Sequence, residues 1–276
     1  MALNSVNTNV GAMIALQNLQ ITNNELSQVQ SRINTGKKVA SAKDNGAVWA
    51  IAQGQRAEIG ALNAVKDSLN RGQSAVDVSL AAGESVSDLL IQLKEKALAA
   101  TDTSLTTAAR NALNEDFTSI RDQIATVVEN ASFNGVNLLD GSSTAGFQAL
   151  ANVSGSTITI NDEDMSLSGS IVTLAATAEI DTSTNATNVL ADVNDSIANV
   201  SASLARLGTG SKSLGTHLSF VGKLQDTLEA GVGNLVDADL AKESARLQSL
   251  QTKQQLGVQA LSIANSSTSI LLGLFR

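Results

Sequence analysis

Few residues in this chain have chemical reach. His217 is the single histidine and there is no cysteine, so neither a histidine-based metal cluster nor a thiolate site can be assembled within one chain. His217 is flanked by Gly215-Thr216 and Leu218. With no nucleophile or orienting group close in sequence, it reads as a helix-surface or packing residue rather than a general base. Gly208-Thr209-Gly210-Ser211-Lys212-Ser213 has the residue types of a phosphate loop. It lacks the spacing between the glycines and a preceding strand, and a flexible break between helix segments is the simpler expectation. Asp162-Glu163-Asp164 offers hard oxygen ligands without the alternation and following glycine of a calcium loop, which predicts a solvated turn. Lys37-Lys38 is too short for a nucleic-acid patch and reads as an exposed connector. No catalytic, cofactor-binding or metal site is expected.

Composition points elsewhere. With 18 Lys+Arg against 26 Asp+Glu, a formal charge of −8 and pI ≈ 4.7, the chain lacks the basic face that nucleic acid requires. Hydrophobic residues reach 43% but aromatics only 2%, so the core must be built from Ala, Val, Leu and Ile, as where helices pack along their lengths. Proline is absent from all 276 residues, which leaves nothing to break very long helices. The first residues, MALNSVNTNV, show neither the basic region nor the apolar run of a signal peptide. The apolar Ile270 to Phe275 is far too short to span a bilayer.

The elements that must position any function are predicted from periodicity. Residues 4–34 read as an amphipathic helix closed by Gly36 as a C-cap. From about 44 to 100, Leu62, Leu69, Val76, Gly83, Leu90 and Ala97 recur every seven residues, with Val65, Val86 and Leu93 three residues on and gaps at Gly72 and Ser79. That is a coiled-coil seam, and such a helix is roughly 85 Å long at about 1.5 Å per residue. A third helix is expected at about 104–130, with Leu113, Phe117, Ile120, Ile124 and Val127 on one face. Residues 132–143 are turn chemistry, through Asn134-Gly135 and Asp140-Gly141. A Ser/Thr-rich insert follows, in which 157–160 and 168–174 predict a small hairpin around Asp162-Glu163-Asp164. Helical periodicity returns at about 186–232, loosened by glycines, and again at about 237–273.

The fold class expected is mainly α: a long antiparallel coiled-coil-like helical bundle with paired N- and C-terminal helices and a small β-hairpin insert. The expected divisions are a terminal helix at 1–40, the two halves of an outer helical domain at 41–140 and 188–235, an insert at 141–187 and a second terminal helix at 236–276. The terminal stripes comprise Val6, Val10, Met13, Leu26, Val29 and Ile33 at one end, and Leu240, Leu247, Leu250, Val258, Leu261, Leu271 and Leu272 at the other. Gln17, Asn18, Gln20, Asn23, Asn24, Gln254, Gln255 and Gln259 interrupt them. Stripes so thin are poorly suited to independent packing, and amides within a seam can fix register between neighbouring copies. Assembly between copies is therefore favoured over packing into the chain's own core, and the amide-rich stripes argue against membrane insertion.

Several motifs agree on one family. The chain resembles bacterial flagellin in SVNTNVGAMIALQNL near the start, with Asn7, Thr8 and Asn9, and in RINTGKKVASAKD, with Arg32, Thr35, Gly36, Ser41, Ala42 and Asp44. Phe133-Asn134-Gly135 followed by Leu138-Leu139, and the C-terminal stretch from Asp237 to Arg276, are similar to the same family. The resemblance covers roughly 1–140 and 190–276 and departs from many members in having a minimal middle, as in short flagellins of alphaproteobacterial type. It implies a secreted, non-enzymatic subunit that polymerises with itself into the filament used for swimming. It also implies export through the flagellar channel without signal cleavage. The partners implied are the export apparatus, a flagellin chaperone, the filament cap and the hook–filament junction proteins. Members that engage the vertebrate surface receptor carry an Arg four residues before a Leu on the first long helix. Here Gln92 and Lys96 occupy those positions, which implies weak receptor activation because Gln lacks the charged planar fork of Arg.

Overall fold

The computed structural model describes residues 8–273, with the side chains of 267–273 outside the description. Among the described residues there are five α-helices and two short hairpins: α1 (Val10–Thr35), α2 (Gly46–Ala100), α3 (Thr107–Asn130), β1 (Ser132–Phe133), β2 (Val136–Asn137), β3 (Phe147–Leu150), β4 (Thr157–Ile160), α4 (Ser183–Val236) and α5 (Leu240–Gly273). None of these helices is long and apolar enough to cross a membrane. The chain divides into a terminal unit, Met1–Ala57 with Thr227–Arg276, and a central unit, Glu58–Asp226.

In the central unit the heptad seam is the core. Leu62, Val65, Leu69, Val76, Val86, Leu90, Leu93 and Ala97 of α2 are all buried. The facing α4 buries Val189, Val193, Val200, Leu207, Leu214 and Val221, and α3 adds Phe117, Ile124 and Val128. The helices α2 and α4 run antiparallel, with Lys66 Nζ 3.3 Å from Gln225 Oε1 and Gln73 bonded to Ser211 Oγ. The two apparent gaps in the seam have uses. Ser79 is buried and turns its hydroxyl back to the Ala75 carbonyl at 2.9 Å, and Gly72 lies against the ring of Phe147.

Glycine does not break α4, contrary to expectation. The helix runs uninterrupted through six glycines, including Gly208 and Gly210. Each costs about 1 kcal/mol relative to Ala in a helix interior. Each of the buried Val and Leu side chains returns about 1.5–3 kcal/mol, so the seam outweighs the propensity. One of these glycines is a site of close approach, a Cβ on Gly210 lying 2.8 Å from Ile160 Cδ1, and on α2 a Cβ on Gly83 would sit 2.8 Å from Leu204 Cδ2.

The insert differs more. The hairpin pairs β3 with β4, Phe147 opposite Ile160 and Leu150 opposite Thr157, whereas 168–174 forms no strand. Packing selects this partner: Ala149 is fully enclosed, Phe147 and Ala149 lie over Gly72, and the Leu150 amide donates to Ser68 Oγ at 3.0 Å. The turn between them is closed by Asn152 Oδ1, which accepts from the amides of Ser154 and Ser156 at 3.0 Å each. Gly146 enters β3 at φ +64°, where a Cβ would come within 2.1 Å of the Ile160 carbonyl. The expected turn at Asn134-Gly135 closes a two-stranded hairpin: Asn134 (φ 50°) and Gly135 (φ 80°) join β1 to β2, both in the left-handed region that such a two-residue loop requires.

Asp162-Glu163-Asp164 is not a solvated turn. Glu163 is 6% exposed, its amide donates to the Leu138 carbonyl at 2.8 Å, and its carboxylate receives Arg206 from α4 in a two-pronged contact with Nε at 2.7 Å. A carboxylate on a polar turn is drawn inward because the bidentate guanidinium neutralises it. Burial, and then the neighbouring Asp140, Asp164 and Glu163, push the Asp162 carboxyl up to about 6. No three His, Asp or Glu side chains among the described residues are grouped to hold a metal ion.

Two outcomes follow from this packing. Gly60, with nothing within 4 Å of a new Cβ, should gain about 0.5–1 kcal/mol as Ala. Gly72→Ala should lose about 1 kcal/mol or more, because the Cβ would lie 2.8 Å from the Phe147 ring; thermal unfolding of the two variants checks the opposite signs. For Asp162 the folded carboxyl titrates above its ordinary value of 3.8, so its protonated form favours the fold. That contribution is fully present below about pH 3.8 and is lost as pH rises through about 6. Asp162→Asn, which mimics the protonated form, should therefore raise the unfolding midpoint of the subunit at pH 7.5 and leave it unchanged near pH 3.5. A gap of equal size at both pH values would refute the assignment.

Candidate assembly surface

The terminal unit is built on α1 and α5. Asn9 caps α1, its Oδ1 accepting from the Ala12 amide at 2.9 Å, and Gly36 ends the helix in the left-handed conformation at φ 67°. Asp239 plays the capping part for α5, accepting from the Lys242 amide at 3.0 Å. Between the helices the two connectors bind each other. The Lys38 amide donates to the Val236 carbonyl and the Ala238 amide to the Gly36 carbonyl, each at 2.8 Å. The turn after Gly36 is organised by Asp44, which accepts from the amides of Ser41 and Ala40 at 2.9 and 3.0 Å and from the Ser41 hydroxyl at 3.2 Å. The Ser41 amide in particular holds this carboxyl below its ordinary range.

The two terminal helices pack antiparallel, and polar contacts set their register. Asn9 Nδ2 donates to the Ala264 carbonyl at 2.8 Å and Gln254 Nε2 to Asn23 Oδ1 at 2.7 Å. Arg32 meets Glu243 at 3.2 Å, and Arg246 lies 3.7 Å from Glu25. Leu19 is seated over Gly257, where a Cβ would come within 3.2 Å of Leu19 Cδ1. The Asn23–Gln254 pair corrects the expectation for the amides: its register role is within the chain. The remaining amides, Gln17, Asn18, Gln20, Asn24, Gln255 and Gln259, are exposed.

The apolar stripes are divided between inside and outside. Val29 and Leu250 are buried, and Leu26, Ile33, Leu247 and Leu261 are half-buried. Val10, Met13, Leu240 and Val258 remain about half or more exposed, at 53, 62, 49 and 53%. Ile14, Leu16, Ile21, Leu256 and Ile263 are exposed as well. These belong to no single stripe, but Ile14/Ile21 and Leu256/Ile263 each repeat at seven residues, a second row visible in the sequence. Val6, Asn7 and Arg276 lie outside the described residues, as do the side chains of Leu271 and Leu272, while Thr8 is exposed. On α2, Gln92 is exposed and Lys96 is held by Asp116 at 2.6 Å. His217 is half-buried in the central unit with Nε2 2.6 Å from the Ala151 carbonyl, linking the end of β3 to α4.

Two family models match this chain, the bacterial flagellin N-terminal helical region over residues 6–144 and the C-terminal helical region over 190–275. Flagellin FljK of Caulobacter vibrioides is 61% identical over the whole of both chains. A flagellin of Brucella melitensis is 38% identical, with 99% of each chain covered. Among solved structures, a flagellar hook-associated protein of Vibrio parahaemolyticus covers 70% of this chain and all of its own at a TM-score of 0.55 and 15% identity. Bacillus cereus flagellin covers 56% of this chain and 88% of its own at 0.50 and 20%. At such identities these two speak to the fold alone. The matched regions contain both terminal helices and the polar contacts that pair them, and the chain belongs to the bacterial flagellin family as a structural subunit of the flagellar filament.

Proposed function

We propose that the outward faces of α1 and α5 are the surface through which copies of this chain polymerise. The observation that supports this is the number of large apolar side chains left open on a helix pair already packed against itself. Val10, Met13, Ile14, Leu256, Val258 and Ile263 are each more than half exposed. Singly exposed apolar residues are ordinary, but so many on one helix pair point to an interaction surface. Burying each of them against a neighbouring copy contributes about 1 kcal/mol or more at about 25 cal/mol per Å². By family resemblance the further partners are the export apparatus, a chaperone, the filament cap and the hook–filament junction proteins, with export through the flagellar channel without a cleaved signal. Gln92 and Lys96 support weak activation of the vertebrate receptor, since Lys96 is engaged by Asp116 and places a charge where an apolar contact is required.

Deleting residues 240–276 removes one whole helix of the pair and should abolish filament formation seen by electron microscopy. The heptad seam of the central unit should keep its helical circular dichroism, and filaments from the truncated chain would sink the reading. The β3–β4 turn is the position suited to insertion: Asn152 to Ser156 are exposed, and surface insertions carry a slowly growing entropic cost. A short epitope between Val153 and Ser154 should permit assembly and be bound by antibody on intact filaments. The same epitope between Asp162 and Glu163 should lower the unfolding midpoint, because it separates Glu163 from the backbone that holds it against Arg206.

A further inference from the structure

Two exposed faces of the central unit complement each other. On α4, Phe220 is 56% exposed in a chain with only five Phe and one Trp. It stands in a shallow groove of about 430 Å³ formed with Ile158, Thr216 and His217, bordered by Lys212 and Lys223. On α2, Ile91 and Leu98 are 46 and 57% exposed. They lie in one row with Glu84, Asp88 and Glu95, all exposed, with Lys94 also exposed nearby. The spacing 84, 88, 91, 95, 98 is that of a single helix face. One face is thus apolar with a basic border, and the other is apolar with an acidic one.

We infer that the acidic row Glu84–Leu98 of one copy seats against the Phe220 groove of another, with Phe220 between Ile91 and Leu98. This rests on the filament reading above and specifies a second contact for it, made by the central unit. Charge excludes the alternatives within the pair: the row would repel a second row and the groove a second groove, whereas row and groove attract. A single chain cannot close the contact on itself. The antiparallel register, with Gly83 under Leu204 and Gln73 beside Ser211, places Ile91 about 24 residues along α2 from the level of Phe220, or about 35 Å at ~1.5 Å per residue. A contact between two different patches is head-to-tail, and it extends into an open filament when the rotation does not close a ring.

The absence of native cysteine makes the test clean. The full-length Ile91→Cys/Phe220→Cys and Leu98→Cys/Phe220→Cys chains are polymerised, oxidised and run on a non-reducing gel. A disulfide needs Cα atoms within about 7 Å, so only neighbouring copies can form one. A ladder of covalent multimers from either chain is the expected result. Filaments whose chains all remain monomeric on the gel would overturn the proposal while leaving the filament reading intact. A dimer from Phe220→Cys alone would also overturn it, by showing a symmetric contact. If the unsubstituted chain forms no filaments, the filament reading falls and this contact with it. Charge provides a second measure: Lys212→Glu/Lys223→Glu should raise the critical concentration about tenfold. Adding Asp88→Lys/Glu95→Lys in the same chain should return it to within about threefold of the original. No rise in the first variant, or no recovery in the second, counts against the contact.

Discussion

The close approach of α2 and α4 is the constraint on which the central unit depends. Two long helices can pack along their length only if the seam residues are narrow, and the seam here is Ala, Val, Leu, Ser and Gly with almost no aromatic bulk. Narrowness leaves little room for a further layer, so the hairpin and the 138–174 segment gain their places at glycines. Phe147 lies over Gly72, Ile160 over Gly210, and Met165 packs against Gly83 together with Leu204. The glycines that weaken the helices locally are thus the positions at which the insert is keyed to them. The price in helix propensity, about 1 kcal/mol each, is smaller than the burial that each close approach permits.

The terminal unit follows a different rule. Its helices complete one interface within the chain and leave several large apolar side chains exposed. Val29 and Leu250 fill the inner face, and the polar contacts of Asn9, Asn23, Gln254, Arg32 and Glu243 fix the register. Directional hydrogen bonds decide which residues meet. The exposed apolar residues make non-directional contacts and contribute nothing to that register. Backbone pairing between Gly36–Lys38 and Val236–Ala238 ties the two helices together where each leaves its neighbour in sequence.

Charge does complementary work. The insert is strongly acidic around Asp140, Asp162, Glu163 and Asp164, and Arg206 engages just one of these carboxylates directly. Asp162 consequently remains difficult to ionise, a local cost tolerated because Glu163 must be drawn in to close the insert over α4.

Much of this was legible in the sequence, because periodicity is a local property. Leu62 to Ala97 repeat every seven residues, and every one of those positions is buried. The end of α1 followed from Gly36 and the first tight turn from Asn134-Gly135, whose backbone preferences do not depend on the rest of the fold. What the sequence could not determine was every choice made between segments distant along the chain. FQAL at 147–150 has weak strand propensity and became a strand because Ala149 and Phe147 fit over Gly72. The more strand-like 168–174 was left unpaired, with Ile171, Val172 and Leu174 buried individually. Glu163 looked like a solvated carboxylate until Arg206, 43 residues away, was placed against it. Gly208 and Gly210 looked like a break until the seam on either side held the helix straight through them. Asn23 and Gln254 looked like groups awaiting another copy until the antiparallel pairing put them 2.7 Å apart. In each case the local preference was worth about a kilocalorie, and a long-range contact of greater value overrode it.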